Sequence, residues 1–276
     1  MKKRFIWASF LLAALAATAL FAIVGGELDG QRHPYVGNIV YRLEDGGPLY
    51  PWASGSLVAE KVFLTAGHVT YWINNYISQG LLELENVYVC FDSEDSLMPT
   101  ANLWPISRVI THPDYPPAKH KEDWHDVGLL ILKDAATEIP LVTLPSAGLL
   151  DELKAAGKLK SGPKGTKFVC AGYGSFLEFP PPVIVYENND RYMARSGYLG
   201  LKKNWLVMSQ NGPSGNGGTG AGDSGGPNLW VDENGDEILV ALTSTGDPNL
   251  VATNIAYRVD TPEILSFIMG AILAAD

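Results

Sequence analysis

Short runs of β-branched and aromatic residues, separated by turn residues, recur along the 276-residue chain in two series. Runs this short and this regularly spaced are typical of antiparallel barrels, so the pattern predicts an all-β chain with two closed barrels. The first series, within about residues 23–141, consists of Val36–Tyr41, Ser56–Ala59, Val62–Leu64, Asn86–Phe91, Ile106–Ile110 and Val127–Leu132. The second, from about residue 165, consists of Lys167–Tyr173, Val183–Tyr186, Trp205–Ser209, Ile238–Ser244 and Asn254–Val259.

Two segments have the apolar spacing of a helix. We interpret the first, at about residues 146–160, as the connector between the barrels. The second follows a helix cap at Asp260 or Thr261 and predicts a C-terminal helix docked on the second barrel. A C-terminal membrane tail is the alternative, which Glu263 and the short length of the segment disfavour. The apolar residues are Leu149, Leu150, Leu153 and Ala156 in the first segment and Ile264, Leu265, Phe267, Ile268, Ile272 and Leu273 in the second.

The first 22 residues have the pattern of an export signal. Three basic residues at 2–4 precede an uncharged, mainly apolar run over 5–21, and Ala19 and Ala22 offer cleavage sites. The run also reaches the lower length limit for a membrane anchor, which is the alternative. We expect removal of the signal and secretion of residues 23–276 to the extracellular space or the periplasm, with no membrane attachment.

The formal net charge of −10 limits the partners of this chain. Removal of residues 1–22, with their three basic and no acidic residues, would leave 17 basic against 30 acidic residues, a net charge of −13. Nucleic acids and anionic membranes require a clustered basic face, which the sequence lacks. We therefore expect no nucleic-acid partner.

Two cysteines are too few for a disulfide scaffold, even in an exported protein. Cys90 and Cys170 both lie in apolar, strand-like contexts, where a free thiol behaves as a small core residue. A bridge between them is the alternative. A catalytic role is disfavoured because neither has a basic neighbour that would lower its pKa.

A serine lies among glycines in the string Gly-Asp-Ser-Gly-Gly-Pro at Gly222–Pro227. Glycines let the backbone turn sharply and bring unobstructed N–H groups to Ser224. The string also fits the Gly-x-Ser-x-Gly pattern of α/β-hydrolases, but there the histidine follows the serine, and here all five histidines precede it. A nominal dinucleotide motif at Gly215–Gly220 leads into the serine string instead of opening a helix, so we discount it.

His68 and Asp126 supply the other groups that amide hydrolysis requires. His68 follows the apolar run Phe63–Gly67, which allows its ring to emerge at a strand end, and Asp126 immediately precedes the apolar run Val127–Leu132. Alone, each is more often a structural residue. Together with Ser224 they provide a nucleophile, a base and a group that orients the base.

Taken together, these strings resemble the trypsin-like serine protease family in content and in order. Ile23–Gly26 is similar to the mature N terminus of that family, Leu64–His68 to its histidine motif, Asp126–Leu132 to its aspartate motif and Gly222–Pro227 to its serine motif. The resemblance covers nearly all of the chain after the signal. It implies two six-stranded antiparallel Greek-key barrels packed together, with a C-terminal α-helix.

By this resemblance the chain is a serine endopeptidase acting on peptide or protein substrates as a monomer, without a cofactor or a metal. Ser224 would attack the carbonyl, His68 would transfer the proton, and Asp126 would hold the His68 tautomer. The backbone N–H groups of Gly222 and Ser224 would form the oxyanion hole.

The resemblance also implies a side-chain pocket and an activation ion pair. Gly218 stands where members that cleave after Arg or Lys have an aspartate, and Asn254 narrows the opposite wall, so we expect small or medium uncharged side chains. The α-amino group of Ile23 would pair with Asp223. The substrate-binding residues implied are Gly218, Thr219, Ser244, Gly246 and Asn254.

The chain departs from the family pattern at several positions. Val69 and Gly220 stand where half-cystines are usual, and Thr245 stands in place of the tryptophan after the matched serine. Two other functions fit the same motifs: a binding protein that keeps the fold without catalysis, and an esterase that uses the same three residues. Retention of all three residues together with Asp223 favours an enzyme over a binding protein.

Overall fold

The computed structural model describes residues 25–94, 96–115, 124–174, 176–178, 183–185, 190–247 and 252–275. The predicted signal at 1–22 and Ile23 lie outside these ranges. The elements of the first half are β1 (Glu27–Leu28), β2 (Val36–Tyr41), β3 (Tyr50–Ala59), β4 (Val62–Thr65), α1 (Gly67–Ser78), β5 (Val87–Cys90), β6 (Leu103–Thr111) and β7 (Gly128–Leu132). Those of the second half are α2 (Leu149–Ala155), β8 (Lys167–Gly172), β9 (Phe176–Glu178), β10 (Val183–Val185), β11 (Tyr192–Leu201), β12 (Trp205–Ser209), β13 (Pro227–Val231), β14 (Glu237–Gly246), β15 (Thr253–Arg258) and α3 (Pro262–Ala275).

Six strands of the first half form a closed antiparallel barrel in the order β2-β3-β4-β7-β6-β5. β7 is buried along its whole length, because α1 and α3 pack against it from outside the barrel. A continuous apolar sequence such as Leu129–Leu132 suits a strand that is covered on both faces.

Six strands of the second half close in the ring β8-β11-β12-β15-β14-β13, since both β11 and β13 pair with β8. β1 adds to β11 through Glu27 and Leu28, and β9 and β10 pair with each other as a separate hairpin. The prediction of an all-β chain with two six-stranded barrels and a C-terminal helix is therefore confirmed.

Two strands of the second barrel differ from the sequence prediction. Of the predicted run Val183–Tyr186, the described residues 183–185 form β10 of the β9–β10 hairpin and are not part of the barrel, and β11 and β13 occupy the remaining places. Gly197 and Gly200 interrupt the sequence of β11, and Pro227 opens β13, so neither has the composition of a typical strand.

The C-terminal helix packs on the first barrel, and the expectation that it docks on the second is wrong. α3 contacts β4 and β7, and the Phe267 ring lies 4.7 Å from the ring of His112. The helix packs there because this position buries apolar surface: the side chains of Ile264 and Ile268 lie in a core cluster that includes most of the first barrel. Among the described residues, no helix combines the length and hydropathy of a membrane span.

Candidate active site

His68 and Asp126 form a hydrogen-bonded pair at one end of the first barrel. His68 is the second residue of α1, and Asp126 lies two residues before β7. The His68 backbone N–H donates to Asp126 Oδ1 at 2.7 Å, and His68 Nδ1 lies 3.1 Å from Oδ1 and 3.0 Å from Oδ2. The ring of His68 is therefore fixed at Nδ1, and its other nitrogen is left for a reacting partner.

The charges of the two residues stabilise each other. Burial alone would raise the pKa of the fully buried Asp126, but the charge and hydrogen bonds of His68, with a hydrogen bond from Ser244, lower it below the usual range. Burial alone would lower the pKa of His68, and the Asp126 carboxylate outweighs this effect and raises it. The pair thus favours a protonated imidazole, which is the form that a general base reaches during catalysis.

Ser244 connects this pair to the second barrel. Its hydroxyl on β14 donates a short hydrogen bond to Asp126 Oδ2. The Asp126 carboxylate therefore accepts from His68 N, His68 Nδ1 and Ser244 Oγ. The sequence placed Ser244 with the substrate-binding residues and did not predict this contact.

Ser224 reaches the same junction through its backbone. Its carbonyl accepts a hydrogen bond of 3.0 Å from the Ser54 N–H on β3. A Cβ added at Gly225 would overlap Thr65 Oγ1 and lie 2.5 Å from the nitrogen of Ala66, two residues before His68. Ser224 is half-buried and the His68 side chain is 28% exposed, so both are open to a ligand. No described hydrogen bond joins their side chains; apo active sites often have such loose contacts.

The backbone beside Ser224 leaves two N–H groups unused. The N–H groups of Gly225 and Gly226 donate to the carbonyls of Thr243 and Asp223 at 2.8 and 2.9 Å. Among the described residues, the amides of Gly222 and Ser224 donate no hydrogen bond. Gly222 has φ +98°, and a Cβ there would lie 2.9 Å from the Cα of Gly174, so the position requires glycine.

Asp223 is a buried carboxylate without a cationic contact among the described residues. Its Oδ1 accepts from the Gly174 N–H at 2.8 Å and its Oδ2 from the Gly220 N–H at 2.7 Å. Burial raises the pKa of Asp223 to about 7, although these two hydrogen bonds act in the opposite direction. Ile23, its predicted partner, lies outside the described residues.

The predicted pocket residues lie around the Ser224 loop. Gly218 and Thr219 are buried on the approach to Ser224, and Asn254 on β15 is fully buried opposite Gly246 on β14. Gly246 is exposed at the end of β14. Gln210, which the sequence analysis missed, packs against Gly218 and accepts a hydrogen bond from the Thr219 N–H at 3.0 Å.

Cys90 and Cys170 are free and buried, on β5 of the first barrel and on β8 of the second. Burial raises the pKa of each thiol to about 12. Their burial agrees with the interpretation of both cysteines as core residues, and the alternative of a disulfide bridge between them is wrong.

Within the described ranges, one group of side chains has the composition of a metal site: His112, Asp114 and His125. The two imidazole rings are stacked, with centroids 4.7 Å apart and planes inclined by 14°. A metal lies near the plane of each imidazole that coordinates it, so two stacked rings do not converge on one ion. We assign no metal to this group.

Two closed six-stranded barrels, with a histidine–aspartate pair and a glycine-flanked serine at their junction, define the chymotrypsin class of fold. The family model for trypsin matches residues 23–268. The chain therefore belongs to the trypsin family. No match to a curated protein was found.

Proposed function

We propose that the chain is a secreted serine endopeptidase that forms an acyl-enzyme on Ser224. The observation that carries the proposal is the position of the His68–Asp126 pair, to which Ser244 also donates, beside a serine loop whose Gly222 and Ser224 amides donate no hydrogen bond to any described residue. A binding protein gains nothing from this arrangement, whereas each part has a role in acyl transfer.

In the acylation step, Ser224 Oγ attacks the carbonyl carbon of the substrate and His68 Nε2 accepts the hydroxyl proton. The carbonyl oxygen becomes an oxyanion, which the Gly222 and Ser224 N–H groups stabilise. Asp126 stabilises the imidazolium that forms on His68. The tetrahedral species collapses when His68 returns the proton to the leaving amine and the C–N bond breaks.

In the deacylation step, water takes the place of the departed amine. His68 accepts a proton from the water molecule while the water oxygen attacks the acyl carbon of the Ser224 ester. The ester C–O bond breaks, His68 returns the proton to Ser224 Oγ, and the carboxylic acid leaves. An ester substrate follows the same route, so esterase activity accompanies the peptidase without requiring another site.

We further propose that removal of residues 1–22 activates the enzyme. The new α-amino group of Ile23 would pair with Asp223, whose pKa is raised by burial and which contacts no cation among the described residues. Because Asp223 accepts from the N–H of Gly220 and precedes Ser224, the pairing would act on the oxyanion donors.

The test combines labelling with mutation. We expect a fluorophosphonate probe to label Ser224 in the folded chain that begins at Ile23. We also expect Ser224→Ala and His68→Ala each to reduce kcat/KM for a peptide by more than about 10³-fold, with little further loss in the double variant because the residues act as a unit. Ser78→Ala, an exposed position on α1, is the control.

Retention of more than about a tenth of the activity in either variant contradicts the assignment of these residues. Absence of labelling and of hydrolysis in the folded chain favours the binding protein. Hydrolysis of esters without hydrolysis of peptides favours the esterase.

A further inference from the structure

The interior of the second barrel changes from apolar to polar at the end beside the Ser224 loop. Met208 on β12 and Ala256 on β15 belong to an apolar cluster. Gln210 and Asn254 lie two residues from them along the chain and therefore face the same interior. Both are buried, with exposed fractions of 1% and 0%.

Gln210 is fixed by the segment that precedes Ser224. Its Oε1 accepts the Thr219 N–H at 3.0 Å, and a Cβ added at Gly218 would overlap its side chain. Since a backbone N–H can only donate, this contact identifies the Gln210 oxygen and leaves Nε2 as a donor. No described residue accepts a hydrogen bond from Nε2.

Asn254 is fixed from the other side of Ser224 through two intermediate residues. Its Nδ2 donates to Asn228 Oδ1 at 3.1 Å, and Asn228 Nδ2 donates to Thr243 Oγ1 at 3.0 Å. Thr243 in turn exchanges backbone hydrogen bonds with Gly225 and Gly226. This arrangement leaves Asn254 Oδ1 as an acceptor to which no described residue donates.

A buried polar atom without a partner costs about 1–3 kcal/mol, so two such atoms at the end of the barrel that carries the Ser224 loop call for a ligand that pairs with them. One is a donor, the other is an acceptor, and neither carries a charge. A carboxamide offers both complementary groups. A carboxylate has no donor for Asn254 Oδ1, an ammonium or guanidinium has no acceptor for Gln210 Nε2, and an alkyl or thioether chain has no donor for Asn254 Oδ1 and at best a weak sulfur acceptor for Gln210 Nε2.

We propose that Gln210 and Asn254 select a substrate with asparagine or glutamine as the residue whose carbonyl Ser224 attacks. The inference rests on the proposed peptidase function and adds the substrate class. The sequence predicted an uncharged substrate side chain at the cleaved bond, and this inference specifies a carboxamide. It also adds Gln210 to the residues that determine substrate specificity.

The experiment uses peptides that differ only at that residue, in two sets of near-isosteric side chains: Asn, Asp and Leu, and Gln, Glu and Met. Lysine and arginine peptides complete the series. For the unaltered chain beginning at Ile23, we expect kcat/KM for at least one carboxamide to exceed that of its two isosteres by at least about 10-fold, because a site built for hydrogen bonds rejects analogues that lack them.

Asn254→Leu and Gln210→Met should each reduce this preference by about 10-fold while Ser224 remains reactive towards a fluorophosphonate. Asn211→Leu and Gln79→Met are matched substitutions at exposed positions and should leave it unchanged. The series on the unaltered chain decides the question even if a buried variant does not fold.

If kcat/KM for the Leu, Met, acidic or basic peptides equals or exceeds kcat/KM for the Asn and Gln peptides, this inference is overturned, and the proposed peptidase function still stands. Absence of both cleavage and Ser224 labelling would overturn the proposed function and, with it, this inference.

Discussion

Because Asp223 is a buried carboxylate, we expect two chains that differ by one residue at the N terminus to differ in how their free energy of unfolding depends on pH. In one, which begins at Ile23, an ion pair can form; in the other, which begins at Ala22, the amino group is displaced by one residue. The carboxylate is fully buried, and burial raises its pKa from 3.8 to about 7. A change of this size corresponds to about 4 kcal/mol in the free energy of unfolding.

The sign of the effect follows from proton binding. Below pH 3.8 Asp223 is protonated in both the folded and the unfolded chain, and its contribution to stability is fully present. Between 3.8 and about 7 the unfolded chain ionises first, so the free energy of unfolding of the Ala22 chain falls by up to about 4 kcal/mol. In the Ile23 chain a paired cationic amine would lower the carboxyl pKa and would suppress this loss until the pH rises through the raised pKa of the amine.

Both chains should carry Ser224→Ala to prevent self-cleavage, and the free energy of unfolding should be measured in urea at about pH 4, 6 and 8. We expect similar values at about pH 4 and an advantage of about 2–4 kcal/mol for the Ile23 chain at about pH 8. Asp223→Asn in both chains removes the titration and should abolish the difference. Parallel pH profiles for the two chains would refute the ion pair.

Three further predictions concern the site and the cysteines. Because Asp126 raises the pKa of His68, activity should appear as His68 loses its proton, with the acid limb of kcat/KM centred above the ordinary value of 6.5; a midpoint below 6.5 contradicts the pairing. Ser244→Ala removes one of the three donors to Asp126 and should lower kcat/KM by roughly 10-fold, whereas the exposed control Ser78→Ala should not. Thiol reagents should leave the activity of the folded enzyme unchanged, because burial raises the pKa of both cysteines to about 12; rapid modification at neutral pH would disprove this burial.

His68, Asp126 and Ser224 could be proposed as site residues from the sequence because each lies in a short local motif. The strands of the first barrel were predictable for a similar reason, since runs such as Leu129–Leu132 are strongly apolar. β11 was not, because Gly197 and Gly200 weaken its strand propensity; it forms because β8 and β12 pair with it on both sides. α1 was not predicted either, since its sequence is rich in aromatic and β-branched residues, and it is stabilised by packing on β6 and β7.

The partners of the site residues could not be predicted from the sequence. Ser244 lies 118 residues from Asp126, and Ser54 on β3 meets the carbonyl of Ser224 from the other barrel. Gln210 follows a strand and has no motif around it. Such contacts depend on which ends of the two barrels face each other, and no periodicity of the chain carries that information.

The segment that follows the N terminus is held by Arg191, which is not among the residues that the proposed activation would rearrange. The fully buried Arg191 binds Asp29 Oδ2 at 2.7 Å and the carbonyls of Gly30 and Val36 at 2.7 and 3.0 Å. Asp29 Oδ1 also pairs with the buried His33, so loss of Arg191 would remove one of the two cationic partners of the Asp29 carboxylate and destabilise this anchor.

Among the described residues, this anchor involves none that precedes β1, so we expect it to persist after cleavage upstream of Ile23. The described chain begins at Gly25, where an added Cβ would lie 3.6 Å from Gly217 Cα. Gly217 directly precedes the buried Gly218–Thr219 segment and, through it, Asp223 and Ser224. We therefore expect a change at the N terminus to act on Ser224 through residues 217–224 without disturbing either barrel.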